Sequence, residues 1–323
     1  MSVISTPAGV GPTAATHKVN KALKSGRGDV SGTVFMIIML VSLLMSVVIL
    51  AVLVVDMLVL AEPVITTRFG DFITGTLKSK PEASGISQGL KGTFWIGVFT
   101  VVISFPLGIA AAIYLEEYAH HESKLARFID LNIRNLAGVP SVVYGILGFT
   151  LFVKAMGSIT GPESQGKSVI SAGLTLAILV LPIVIITAAE AIRAVPNELR
   201  EAGFGVGATR WEVVRHHVLP YAAPGVLTGT VLALARALGE AAPLILVGAS
   251  TGFLSSGGGF FDVTSLQERF TALPMIITSW AKKPANLGWD EVAGAAVIVL
   301  LAVVLVANTA AILLRNRFEK KRQ

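Results

Sequence analysis

The sequence predicts an all-α integral membrane protein with six transmembrane helices. Of its 323 residues 53% are hydrophobic and only 14% are charged, where a soluble domain carries about 25% charged residues. Mean hydropathy is +0.74, and six apolar runs approach the about 20 residues that cross a hydrocarbon core. These observations exclude an ordinary soluble globular protein. Cysteine is absent, which excludes a disulfide framework, a thiolate nucleophile and a Cys-type zinc site.

Taken in order, residues 1–31 are rich in Ser, Thr, Gly and Pro and carry Lys18, Lys21, Lys24 and Arg27, the composition of a flexible basic tail. The first run, 32–60, is far longer than the about 7 to 15 apolar residues of a signal core, and no A-x-A cleavage pattern follows, so it is expected as a retained helix. The remaining spans are expected at 93–115, 136–156, 169–189, 225–248 and 292–314. Residues 90–314 form the expected core domain, with a polar loop at 190–224, and 315–323 are a second basic tail. Pro106, Pro140, Pro182 and Pro243 interrupt the runs and predict kinks or freed carbonyls. The long connection 249–291 contains Ser255, Ser256, Gly257, Gly258, Gly259, Phe260 and Phe261; a flexible link and a partner-contacting surface both fit it.

Orientation follows from Lys and Arg. With both termini cytoplasmic, the inner segments carry four, three, four and five of them, sixteen together, against nine in the outer segments, and Arg236 lies inside a span. The positive-inside rule therefore places both ends in the cytoplasm. The net charge of +6 is accounted for by this bias, so no nucleic-acid partner is expected. Trp95, Trp280 and Trp289 then fall near the outer interface, where indoles are favoured.

Two familiar patterns fail on context. Gly161, Gly166, Lys167 and Ser168 match the G-x-x-x-x-G-K-[ST] phosphate loop, but that loop needs a preceding strand and a nucleotide-binding domain, and here it bridges two membrane helices. Gly203, Gly205 and Ala208 satisfy G-x-G-x-x-[GA] within a short helical loop and not in a βαβ unit. The adjacent pairs His120, His121 and His216, His217 send their rings to different helical faces, so no metal ligand is assigned. The spans show no convergent nucleophile or metal cluster, so no catalytic residue is assigned either.

The informative segment is the polar loop. Pro196 suits a first helical turn, residues 197–204 continue it, Gly205 and Gly207 permit a turn, and Thr209 with Glu212 forms an S/T-x-x-E capping box for a second helix. Pro220 is expected to end that second helix. The result is a helical hairpin with Val206, Trp211, Val214 and Val218 as apolar contacts and Glu201, Arg210 and Arg215 as polar ones.

Here Glu201, Ala202, Gly207, Leu219 and Pro220 reproduce the spacing of the EAA-x3-G-x9-I-x-LP motif, and the chain resembles the permease subunits of ABC importers. Gly203 stands where the motif prefers Ala, and His217 where it prefers Ile. Residues 136–145 (LAGVPSVVYG) and 235–244 (ARALGEAAPL) resemble the third and fifth spans of phosphate-importer permeases. Residues 270–274 (FTALP) and 312–317 (ILLRNR) resemble the PstA-type subunit more than its PstC-type partner. The resemblance implies a type I ABC importer permease fold and import of inorganic phosphate across the cytoplasmic membrane of a prokaryote. It implies a homologous PstC-type permease, two PstB-type ATPase subunits that hold the ATP and Mg, and a PstS-type phosphate-binding protein as partners. The hairpin would be the coupling element against the ATPase. No cofactor of this chain and no enzymatic activity of its own are implied.

Arg236 and Glu240 are expected near the middle of the fifth span, at i and i+4 on one helical face. Each charge costs on the order of 3 kcal/mol at a helix centre, so both should face protein or water. Two roles fit: an ion pair that tightens the bundle, or a substrate pathway in which Arg236 offers donors to the anion while Glu240 tempers that grip. Asp56, near the end of the expected first span, should reach the interface. A permease for another oxyanion, molybdate or sulfate, is the nearest alternative. An ion-coupled secondary transporter explains the spans but not the hairpin motif.

Overall fold

A backbone in hydrocarbon must satisfy its own N–H and C=O groups, which is why long apolar runs become helices there. The computed structural model describes residues 30–119, 123–250, 259–284 and 287–320, and among them there is no strand. The helices are α1 (Val30–Thr74), α2 (Ser87–Ile113), α3 (Lys124–Ala137), α4 (Ser141–Gly148), α5 (Val169–Arg193), α6 (Asn197–Gly205), α7 (Arg210–Val213), α8 (Leu219–Gly239), α9 (Ala242–Val247), α10 (Leu273–Trp280) and α11 (Trp289–Lys320). Among the described residues π turns continue helices at Tyr114–Tyr118 after α2, Phe149–Ala155 after α4, and Val214–Val218 between α7 and α8.

Among the described residues five helical stretches are long and apolar enough to cross a membrane: Ser31–Thr74, Ser87–Tyr118, Val169–Arg193, Arg210–Gly239 and Trp289–Arg317. A sixth crossing exists only as a bent pair, Lys124–Ala137 and Ser141–Ala155, whose axes meet at 101°. The expected third span, 136–156, is therefore broken at its start. Pro140 has no N–H to give the preceding turn and restricts Val139 before it, so the helix stops at Ala137 and restarts at Ser141.

The expected fifth span is also corrected. Helix α8 ends at Gly239 and Glu240 is extended (φ −79°, ψ 120°), after which α9 starts with Pro243 in its first turn. Pro243 in a continuing helix would clash with the Gly239 carbonyl, and the chain avoids this by breaking. At the other end, Pro220 does not terminate a helix, because the π turn Val214–Val218 feeds directly into α8. A π turn shifts the hydrogen-bond register, which accommodates a residue without an N–H.

The chain divides into two units, 1–56 and 57–323. In the first, the described helical residues are exposed nearly throughout. In the second, α1 continues past the expected boundary at 60 to Thr74, with a kink at Arg68. Arg68 donates to the Ser84 and Pro81 carbonyls at 3.1 and 2.6 Å, fixing the turn that follows. Asp56 thus lies far from the helix end that was to bring it to the interface, although its side chain is exposed.

In the larger unit α5 is the central helix, packed lengthwise on α2 and then on α8. Close approach of α2 and α5 needs a small residue: a β-carbon on Gly108 would lie 2.6 Å from Val184 Cγ1, the small-residue packing typical of membrane helices. Ile96, Leu176, Val180, Val184, Ala237 and Phe270 belong to the main core. Ala61, Val64, Phe72, Trp280, Trp289 and Val292 form a second core. Trp280 and Trp289 are 2% and 4% exposed with ring centres 5.7 Å apart, so they pack inside the protein instead of facing a membrane interface. Lys283 Nζ lies 3.2 Å above the Trp289 ring, and burial pushes the lysine's pKa down.

Candidate functional site

The hairpin forms as its local chemistry dictates. Helix α6 spans Asn197–Gly205, and Gly207 turns the chain with φ +81°, a left-handed conformation that favours glycine. The capping box closes in both directions, with the Thr209 N–H donating to Glu212 Oε2 at 2.8 Å and the Glu212 N–H donating to Thr209 Oγ1 at 3.4 Å.

The base of the hairpin is held by contacts that no local pattern announces. Arg200 Nη1 donates to the Val195 carbonyl at 2.6 Å and Nη2 to the Ile192 carbonyl at 2.9 Å, tying α6 to the backbone at and just beyond the end of α5. Its Nε and Nη2 also donate to Glu117 Oε1 at 3.1 and 2.8 Å. Beside it, Arg193 grips Glu116 through Nε and Nη2 at 3.1 and 2.5 Å. Glu116 and Glu117 both sit in the π turn that ends α2. The Arg200–Glu117 side chains are 18% and 8% exposed, so little solvent screens this pair. Arg210 completes the clamp with its guanidinium 5.5 Å from the Tyr118 ring centre.

Below the hairpin, Val213, Val218, Ala188, Ile192 and Ala112 form a third core. The four expected apolar contacts divide accordingly. Val214 and Val218 are fully buried, whereas Val206 and Trp211 are 84% and 52% exposed, and Phe204 joins them at 48%. Glu201, Ala202 and Gly207 are also exposed, Leu219 is half-buried and Pro220 is exposed at the start of α8. The five motif residues therefore divide between the outward tip of the hairpin (Glu201, Ala202, Gly207) and its return into the bundle (Leu219, Pro220). An exposed apolar tip thus stands on a base held by ion pairs.

Arg236 and Glu240 come together, with Nε 3.4 Å from Oε1 and side chains 46% and 20% exposed. They occupy the C-terminal end of α8, not the middle of a continuous span. The end is nonetheless deep in the bundle, because neighbouring Ala237 and Leu238 lie with Ile96 and Leu176 around one small cavity. The negative end of the α8 dipole favours a cation at Arg236. The two terminal guanidinium nitrogens take no partner among the described residues, so a fork of donors stays available to an oxyanion.

The phosphate-loop match is a closed turn. Its amides are spent internally: Gly166 N–H bonds the Gly161 carbonyl at 2.7 Å and Lys167 N–H bonds the Ser164 carbonyl at 3.1 Å. Ser168 caps α5 by accepting from the Ser171 N–H, leaving no cradle for phosphates. His120 and His121 lie outside the described residues. Among the described residues His216 Nδ1 sits 3.1 Å from the Glu212 carbonyl, and no group of three or more potential ligands gathers for a metal.

Comparison with known proteins shows the family. A family described as "Binding-protein-dependent transport system inner membrane component" matches residues 104–323. The chain is similar to the phosphate transport system permease protein PstA 1 of Mycobacterium tuberculosis, 32% identical over 75% of this chain and 73% of that one. It is likewise similar to the phosphate transport system permease protein PstA of Haemophilus influenzae, 32% identical over 73% and 78%. Among solved structures, a chain of a bacterial alginate ABC transporter in complex with an alginate-bound periplasmic protein shares the fold at TM-score 0.61 and 15% identity, covering 89% of this chain and 96% of that one.

Proposed function

The chain belongs to the binding-protein-dependent transport system inner membrane components, and from that premise we propose that it is the permease subunit of an ATP-driven importer of inorganic phosphate. It is a multi-pass membrane protein. The observation that carries the coupling assignment is the exposed tip of Phe204, Val206 and Trp211 on a base clamped by Arg200 and Glu117. The cargo assignment is supported by relatives that bear the name of phosphate permeases over most of their length.

In this reading Glu201, Ala202 and Gly207 present the hairpin to a cleft of an ATPase subunit, while Leu219 and Pro220 carry its motion into α8. The ATP and Mg belong to that partner, and both termini lie in the cytoplasm of a prokaryote. The working assembly pairs this chain with a homologous permease, two ATPase subunits and a phosphate-binding protein on the opposite face. When the ATPase pair closes, the tip moves and α8 moves with it, exposing Arg236 alternately to the two sides. Arg236 supplies donors to the anion, and Glu240 keeps the grip weak enough for release.

Uptake of labelled phosphate by proteoliposomes holding the whole complex with ATP tests the assignment. Accumulation that a large excess of molybdate or sulfate does not suppress is the expected result. Suppression by either would make the cargo that oxyanion, and uptake without the ATPase would make the chain an ion-coupled carrier.

A further inference from the structure

Two spans of the larger unit are broken, and the pieces that follow the breaks lie against each other. Helix α4 restarts after Pro140 and α9 restarts after Glu240 and Ala241. A β-carbon on Gly145 of α4 would lie 2.8 Å from Pro243 Cα and 2.7 Å from Leu246 Cδ1 of α9. Only glycine permits this approach, and a contact made partly with backbone leaves little that can yield. The two short helices are therefore held as one body. Pro243 stands three residues after Glu240, whose carboxylate pairs with Arg236, so that body reaches directly to the ion pair.

The first break carries a clasp. In an unbroken helix the N–H of residue 140 would donate to the Leu136 carbonyl, and Pro140 has no N–H to give. The carbonyl instead accepts from the Val139 N–H at 3.1 Å and from the Tyr144 hydroxyl at 2.9 Å. Tyr144 thus reaches back over the break from α4 to the last turn of α3. Among the described residues this is the one side-chain hydrogen bond between the two arms of the bend, whose axes meet at 101°. The Tyr144 ring, 6% exposed, belongs to the main core with Leu176 and Leu244. A buried phenol needs a partner for its hydroxyl, and the carbonyl freed by Pro140 supplies it. The charge of Arg236 also acts on that hydroxyl, so the clasp and the ion pair share one neighbourhood.

We infer that Tyr144 is a positioning residue for Arg236 and Glu240. Its hydrogen bond to the Leu136 carbonyl fixes the bend between α3 and α4. The contact of Gly145 with Pro243 carries that setting to α9, and Ala241 carries it to Glu240, which is thereby held against Arg236. This role rests on the reading of Arg236 as the donor to the anion and of Glu240 as the group that tempers its grip. Loss of the hydroxyl releases Glu240 from its place, so the grip on the anion tightens and release slows.

Tyr144→Phe removes the hydroxyl and keeps the ring. In proteoliposomes holding the whole complex it is expected to lower both the half-saturating phosphate concentration and the maximal rate by about fivefold, the net worth of one neutral hydrogen bond. In a Glu240→Gln background the same substitution is expected to change neither further, since the group it positions is gone. No change in either quantity, or an effect undiminished by Glu240→Gln, would overturn the role. The clasp is read separately by spin labels at Phe128→Cys on α3 and Ile146→Cys on α4, both exposed positions of a chain without cysteine. Tyr144→Phe is expected to broaden the distance distribution between the labels in the assembled complex, and an unchanged distribution would overturn the clasp. Full uptake by Arg236→Gln is the distinct failure of the ion pair's assignment; it would end the positioning role and leave the label distances as they are.

Discussion

Gly203 and His217, the two positions at which the hairpin departs from the permease motif, face each other across it. A β-carbon on Gly203 would lie 3.4 Å from His217 Cδ2 and 2.8 Å from Val213 Cγ2. The motif's alanine is thus replaced by glycine where a ring and a branched side chain close in from the second arm. Gly203→Ala is expected to destabilise the hairpin by about 1 to 3 kcal/mol through overpacking. A double-mutant cycle with Val213→Ala, read by thermal unfolding of the purified complex, should recover about 1 kcal/mol of that loss; additive effects would mean that the two arms do not press on each other.

Arg200 ties three segments at once, and a lysine cannot reproduce its fork. Arg200→Ala is expected to cost about 3 kcal/mol, the penalty for breaking a largely buried pair, and Arg200→Lys should recover little. Their decisive readout is coupling: ATP hydrolysis by the complex should persist while phosphate accumulation falls. Unimpaired accumulation in Arg200→Ala would remove the clamp from the mechanism.

The exposed tip should behave as an interface centre. Trp211→Ala or Val206→Asp is expected to weaken retention of the ATPase on the purified permease pair by about 2 kcal/mol or more, some thirtyfold, without lowering the unfolding temperature of the permease itself. Equal retention would place the contact elsewhere.

At the α8 end, Arg236→Gln is expected to abolish phosphate uptake while the complex still assembles, because the donors are lost but the helix terminus is not. Glu240→Gln should instead tighten the grip, lowering the half-saturating phosphate concentration and slowing turnover. Full uptake by Arg236→Gln would return the pair to a structural role.

Much of the hairpin could be read from neighbouring residues: the capping box of Thr209 and Glu212, the turn at Gly207 and the helix before it all depend on local chemistry. The clamp could not, since Arg200 and Glu117 stand 83 residues apart and meet only when α2 packs on α5. The fifth span departs from its expected course because apolar composition continues past Gly239 while the helix does not. Pro243 carried the signal, and it marks a break and not merely a kink. Pro220 misled in the opposite direction, because the π turn before it supplies a register that sequence periodicity does not reveal. Composition turns polar after residue 60, where the first span is expected to end, although α1 remains helical to Thr74.

Because the chain contains no cysteine, Val206→Cys creates a unique label at the exposed tip of the hairpin. This thiol is expected to be protected from a membrane-impermeant maleimide in intact cells, to react in inverted vesicles, and to crosslink to the ATPase subunit with a yield that changes on adding ATP. Labelling from outside intact cells, or accessible thiol that never captures the ATPase in a transporting complex, would contradict it.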